Sequence, residues 1–548
     1  MALFVFRLML VILVVLLIVS TAARQKKKIK RRRDKIKNGF GDTSDDLYDT
    51  DNFTNAPFLF ERESQNINER HIIDEITCSD LGLKDIYARL NRCMTGPGKD
   101  VLYCMLRMPG DGQTFGDEIK GFTEDKDRSV SLLYILDMYG RYKDCDDLKL
   151  IMSLKEAKER PIVYDILPPV LLLASIAFVS FAPLYGFMAV ILMLAICIWS
   201  YFGGKRHMDD NLKGLALSLK LIRCSKLLLG SGRDEFEPFS YMFDLLKGNS
   251  LIPYKDKSTT DPLSIIWDYV RMITHIDLIA YNIKVALIKK HTEDLEKLYV
   301  LVGRLDAMLA VASYIYGKKH CRAKITGNCA IDAKGMYHPL VKDPVCNDLS
   351  SRRGMVLTGS NASGKSTFLK AVGINVLFAQ SFGMAFADSF ETGRFSLYTS
   401  MALNDNLLGE ESYYVVEARS IKRIVDAAEK GMCLCIIDEV LRGTNTIERI
   451  AASSRILKHL CMPDVLCFAA THDIELANML SNDMDLYHFT EEIHDDNVTF
   501  PFVIQRGYST NTNAIRLLAM LGFDKSIVSS ADELVEAYKK TGKWVQEK

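Results

Sequence analysis

The sequence predicts two parts: an α/β domain over residues 326–548, and an all-α region ahead of it that carries apolar runs of membrane length. Three observations carry this. Short apolar runs at Gly354–Thr358, Cys433–Ile437 and Val465–Ala470 have the length of strands buried on both faces, as in a parallel sheet. A glycine-rich G-x4-G-K-S stretch, Gly359-Ser-Asn-Ala-Ser-Gly-Lys-Ser366, joins the first of these strands to a helical pattern over Thr367–Gln380. Far upstream, no charged residue occurs from Ile166 to Phe202.

Residues 1–23 are apolar apart from Arg7 and run into the basic stretch Arg24–Arg33. A span needs about twenty apolar residues, and cationic flanks favour the inner side, so a transmembrane anchor with Met1 outside is expected. A cleaved signal peptide, with Thr21-Ala-Ala23 as its small-residue site, is the rival reading. The basic run suits orientation and contact with anionic lipid, and nucleic acid is its other conceivable partner. Residues 24–70 read as a basic, then aspartate-rich linker.

Residues 71–160 and 204–325 show apolar spacing of three and four and read as two parts of a helical core; Ile265–Tyr316 is long enough for a lever-like helix pair. Between them, 161–203 reads as a transmembrane hairpin of two short helices broken at Ala182-Pro-Leu-Tyr-Gly186. Lysines and arginines flank both ends, and Trp199 and Tyr201 suit an interface. Three spans then leave residues 24–160 and everything from Gly203 onward, the α/β domain included, in the cytoplasm. A hairpin buried in a soluble core is the alternative.

In the α/β domain the glycine-rich turn, from Gly359 through Asn361 to Gly364, can wrap an anionic phosphate with backbone N–H groups at a helix amino terminus. Lys365 can reach the β- and γ-phosphates of ATP, Ser366 can hold Mg²⁺, and Thr367 opens the helix. About seventy residues further on, a buried strand ends in Asp438-Glu439: one carboxylate for the metal, one to orient and deprotonate a water. An ordinary acidic helix start would look the same locally, but the carboxyl end of a sheet strand is where ligands bind in open α/β sheets. The third strand ends in Thr471-His472-Asp473, which makes His472 a candidate γ-phosphate sensor beside its plainer structural role.

Taken together, Tyr337-His-Pro-Leu340, Thr358–Thr367, Asp438-Glu-Val-Leu-Arg-Gly-Thr-Asn-Thr446 and Ala470-Thr-His-Asp473 resemble the ATPase domain of the MutS family of DNA mismatch-repair proteins. The resemblance runs from about Tyr337 to Glu536 and is weaker over the helical core. It implies a P-loop NTPase domain of the ABC-type ATPase class, preceded by an all-α core and lever, working as a homodimer on duplex or branched DNA. ABC transporters share the loop, but their L-S-G-G-Q type signature is missing. In its place Asn404–Glu417 resembles the family segment ending in S-T-F-x-x-E, which makes Ser412 the candidate residue acting on a partner subunit's nucleotide; helix capping is its plainer role. The resemblance also makes Gln380 a nucleotide-site candidate, and the helical patterns at Ala514–Gly522 and Ile527–Lys540 a dimerisation tail.

The sequence departs from the family in places. Tyr413-Tyr414 replace T-F, Ser400 stands where many relatives carry arginine, and Pro344-Val345 occupy the place where an aromatic often meets the adenine. No G-x-F-Y-E element precedes the core, and Phe58-Leu-Phe-Glu61 is a poor substitute, so no aromatic wedge for a mismatched base step is visible. Net charge is zero, without the global basic field common in nucleic-acid binders. The thirteen cysteines form no C-x-x-C pair and read as reduced thiols, and no metal site beyond that for Mg²⁺ is expected. Two readings follow: a membrane-anchored MutS-like ATPase coupled to DNA in mismatch repair or recombination, or a nucleotide-gated membrane or scaffold protein that has lost DNA binding.

Overall fold

The computed structural model describes residues 23–24, 26–42, 53, 55–110, 112–141, 146–157, 160–247, 262–360, 363–401, 413–494, 497–507, 515, 518–519, 522–541 and 544. The proposed amino-terminal anchor, Asn361 and Ser412 therefore lie outside the described residues. Two compact units emerge: residues 1–65, 88–104 and 119–316 in one, and 66–87, 105–118 and 317–548 in the other.

The described residues of the first unit form helices joined by turns and loops, with no strand among them. Its core helix is Thr292–Ile315, which meets the length and apolarity of a membrane span yet is mostly buried in protein. Gly303 lets it approach another backbone closely, since a Cβ there would lie 2.5 Å from the Pro97 carbonyl oxygen. Ahead of it stand Pro262–Thr274 and Ile276–Lys289. The region expected to form a helix pair is thus three helices, because His275 adopts a left-handed conformation (φ 52°) and the chain breaks again at His291.

The uncharged run forms a helical hairpin, Val163–Phe178 and the start of Pro183–Gly230, turning at 179–182 just ahead of Pro183. The second helix continues unbroken for 48 residues, where the sequence suggested that the hairpin ends near residue 203 and a separate helical part follows from 204. Gly203-Gly204 does not end it. A glycine pair costs helix stability but no hydrogen bond, and Gly204 is where Leu278 packs, its Cδ1 lying 2.6 Å from the position a Cβ would take. In the stretch Pro183–Asp209 only 17% of the apolar 18-residue window is buried, while Leu215, Leu221 and Leu228 further along the same helix are fully buried. Val163–Phe178 is apolar but shorter than a span of that kind.

The second unit is built on a six-stranded sheet in the order β13 (Ile504–Arg506), β10 (Asp485–Phe489), β4 (Met355–Thr358), β9 (Val465–Ala470), β8 (Cys433–Asp438), β7 (Ser396–Ser400). All neighbours are parallel except the edge strand β13. Strands β4, β8 and β9 are buried at every position, as a sheet covered on both faces requires. A second, mixed sheet has the order β3 (Asn347–Ser351), β2 (Ile331–Met336), β6 (Ser389–Gly393), β1 (Cys321–Thr326), β5 (Met384–Ala385). A two-stranded ribbon pairs β11 (Glu492–His494) with β12 (Asn497–Thr499).

Residues 66–87 belong to this unit, although the sequence placed 71–160 with the helical core. Long-range polar contacts explain the difference. The buried Asp80 carboxylate accepts from Thr399 Oγ1 (2.7 Å) and Met401 N (3.0 Å), Thr77 Oγ1 accepts from Thr399 N (3.2 Å), and Asp74 pairs with Arg423. These bonds cap the open edge at β7, which would otherwise present unpaired backbone groups.

Candidate nucleotide site

Three parallel strands end side by side, and their carboxyl ends carry the polar residues. After β4 the chain turns through Gly359 (φ 141°) and Gly364 (φ 99°), conformations that a side chain would strain, and enters the helix Lys365–Phe382. Lys365 is buried, and its ammonium donates to the carbonyls of Gly359 and Ser360 at 2.7 Å each. Burial pushes its pKa down, while the Asp438 and Glu439 carboxylates push it up. Ser366 Oγ donates to Asp438 Oδ2 at the end of β8. A hydroxyl and a carboxylate in contact are the hard oxygen donors that Mg²⁺ takes when phosphates and water complete its shell.

Glu439 is held in a left-handed conformation (φ 62°), one that costs a non-glycine residue about 1–3 kcal/mol. Its N–H donates to Ala470 O (3.0 Å), tying it to the end of β9. One carboxylate oxygen lies 2.9 Å from Arg442 Nε and the other 3.3 Å from His472 Nδ1. The acid thus sits between a cation and an imidazole that is about half exposed. Asp473 is occupied by Arg449 (2.7 Å).

Lys365, Ser366, Asp438, Glu439 and His472 are therefore brought together, with Gly359, Gly364 and Thr367 framing the loop. Gln380 is not. It lies fifteen residues along the helix from Lys365, about 22 Å at 1.5 Å per residue. Its amide is spent there, accepting from Phe395 N (2.6 Å) and donating to Phe395 O (3.1 Å). A buried residue that fills its hydrogen bonds with one backbone unit is a structural clamp.

Two features escaped the sequence reading. The buried Glu417 carboxylate accepts from the N–H groups of Arg442 (3.0 Å) and Gly443 (3.4 Å), fixing the loop that follows Glu439. Beside Gly364 and Thr367 opens a cavity of about 280 Å³ whose ring surfaces are Tyr337, His338, Phe368, Phe489 and Phe502. Pro344 and Val345 line it too, and the rings beside them come from other segments. Phe502 is anchored through its neighbours: its carbonyl accepts from Asn347 Nδ2 (3.0 Å), and Ile504 N donates to Asn347 Oδ1 (2.8 Å). Burial and the Lys370 charge lower the His338 pKa to about 4, which leaves a neutral ring at ordinary pH. A flat apolar slot starting at the phosphate-type loop fits a base and sugar. No local motif marks Phe489 or Phe502, which lie 124 and 137 residues beyond Lys365.

MutS domain V matches residues 355–539. The DNA mismatch repair protein MutS of Halothermothrix orenii is 27% identical over 271 residues, 47% of this chain and 30% of that protein. DNA mismatch repair protein MutS 1 of Halobacterium salinarum is 30% identical over 243 residues, covering 42% of this chain and 27% of the relative. The MutS of Natronomonas pharaonis is 28% identical over 260 residues, 44% of this chain and 30% of the relative. Each match spans less than a third of the relative's own length. Over residues 355–539, then, the chain carries a MutS domain V, and it is there that it is similar to the MutS proteins.

Proposed function

We propose that this protein is a membrane-anchored, Mg²⁺-dependent ATPase whose nucleotide cycle is coupled to DNA. The observation that carries the catalytic part is the meeting of Lys365, the Ser366–Asp438 pair and Glu439 at the ends of three adjacent strands. Lys365 and the loop N–H groups, those of Gly359, Asn361 and Gly364 among them, would hold the β- and γ-phosphates. Ser366 and Asp438 would hold Mg²⁺, which neutralises charge on the phosphates. Glu439 would take a proton from the attacking water, with Arg442 and His472 setting its orientation and His472 facing the γ-phosphate. The base would lie against Phe489 and Phe502.

Glu439→Gln tests this, because it preserves shape while removing the base. ATP should bind within a few-fold of wild type while phosphate release slows about 10²–10⁴-fold; undiminished turnover removes Glu439 from its role.

Membrane anchoring rests on the solvent-facing apolar surface of the hairpin, where Phe181, Leu184, Ile191 and Trp199 are each more than two-thirds exposed. A homodimer is supported by the carboxyl-terminal helix Lys525–Thr541, which leaves Phe523, Ile527 and Trp544 exposed, and Ser412 is the residue proposed to reach the partner's nucleotide. DNA is proposed from the relatives' names. Phosphate contacts would make that affinity fall steeply with salt. The zero net charge favours the second reading, a nucleotide-gated membrane or scaffold protein without DNA binding. Absence of binding to duplex, mismatched or branched DNA at low salt by the detergent-solubilised protein, with and without ATP, would select it.

A further inference from the structure

The helical unit contains a cavity of about 550 Å³ that the nucleotide chemistry does not use. It lies between the basic helix 26–39, the turn around residues 91–94, and the helices Lys126–Tyr139 and Thr292–Ile315. Four cations line it, Arg32, Lys35, Arg92 and Arg141, against one carboxylate, Asp137. That carboxylate is already paired with Arg32, whose Nη2 donates to it at 2.8 Å. More cationic than carboxylate side chains therefore line the cavity, above an apolar floor that includes Leu133 and Leu309.

Asn91 is the unusual member. It is 3% exposed, lines the cavity, and neither its amide nitrogen nor its amide oxygen has a hydrogen-bond partner. A buried amide left empty on both sides is unfavourable, and such a group normally meets a partner. A primary amide offers two N–H donors and an acceptor on one plane. Cations beside it select an anion, the N–H groups suit a phosphate oxygen, and the carbonyl asks for a donor such as a hydroxyl.

We propose that this cavity is a second, nucleotide-independent site that binds a phosphorylated polyol, with Asn91 reading phosphate and hydroxyl together and Arg92 and Arg141 supplying the charge. The polyol phosphate could come as a soluble compound or as a lipid headgroup, and the two sources are separable by experiment.

Full-length protein in detergent, carrying Lys365→Ala to silence the phosphate-type loop, is titrated calorimetrically with inositol 1,4-bisphosphate and, separately, with short-chain phosphatidylinositol 4-phosphate. Saturable binding is expected. Asn91→Leu should weaken it about tenfold or more, the worth of one good polar contact, without lowering the melting temperature of the ligand-free protein, because it removes an unpaired amide. Arg141→Gln, at a partly exposed position, should weaken binding and flatten its salt dependence. Binding of the soluble compound alone identifies a soluble ligand, and preference for the lipid identifies a headgroup. Absence of saturable binding of either probe, or affinities unchanged in both variants, would overturn the proposal.

Discussion

Replacing Asp100 by asparagine should stabilise the helical unit in alkaline solution and do little in acid. Asp100 is 3% exposed, accepts from the Tyr299 hydroxyl at 2.7 Å, and lies 3.7 Å from the Lys99 ammonium. Burial dominates over both partners and lifts its pKa from an ordinary 3.8 to about 7. A raised value means that the folded state prefers the neutral acid. The stability it contributes is complete below pH 4, where the unfolded chain is also protonated, and is lost as pH rises through 7. The difference of about three pH units, at 1.36 kcal/mol each, makes about 4 kcal/mol an upper bound on the loss. The asparagine side chain keeps an acceptor for the Tyr299 hydroxyl and carries no charge to bury. Near pH 8 the melting temperature of the full-length protein in detergent, followed by tryptophan fluorescence, should rise by several degrees in Asp100→Asn. The gain should shrink towards pH 4. A variant that melts at or below the wild-type temperature near pH 8 would refute the reasoning. Asp147 and Asp306, each raised to about 6 chiefly by burial, add to the wild-type loss in the same direction.

Other substitutions probe the nucleotide site and the hairpin. Phe502→Ala should weaken binding of a fluorescent ATP analogue by up to about tenfold, the worth of one ring contact, with little change in kcat at saturation; equal affinity would remove Phe502 from the slot. Gly364→Val combines the left-handed backbone with a Cβ 2.9 Å from Phe502 Cδ1, so nucleotide binding should fall well below detection in the same assay while the protein still folds by circular dichroism. Gly204→Val drives a side chain into Leu278 and should lower the melting temperature, by about 1–3 kcal/mol of overpacking; an unchanged melting curve would mean that the two helices separate freely there.

The parts of the nucleotide site that are contiguous in the chain were legible in the sequence, because each is one strand followed by the turn its residues demand. Gly354–Thr358, Cys433–Ile437 and Val465–Ala470 appear as β4, β8 and β9 within a residue at either end, since a fully apolar run of that length flanked by glycine or acid has few other uses. The hairpin turn at Ala182-Pro183 was legible for the same reason, proline ending one helix pattern and opening the next.

What needed the tertiary structure is whatever depends on residues far apart. A glutamine on an apolar helix face reads alike whether it meets a ligand or a backbone turn, and only the position of Phe395 decides for Gln380. The rings that line the cavity beside Gly364 come from four separate segments, Tyr337-His338, Phe368, Phe489 and Phe502, whose meeting no local spacing encodes. Whether a long apolar helix faces lipid or core is likewise a matter of neighbours: Thr292–Ile315 and Pro183–Asp209 are both long and apolar enough for a span, yet one is mostly buried in protein and the other is not. Local chemistry is set by sequence because backbone conformation and strand burial respond to adjacent residues. Partner choice for a side chain is set by packing, which sums over the whole chain.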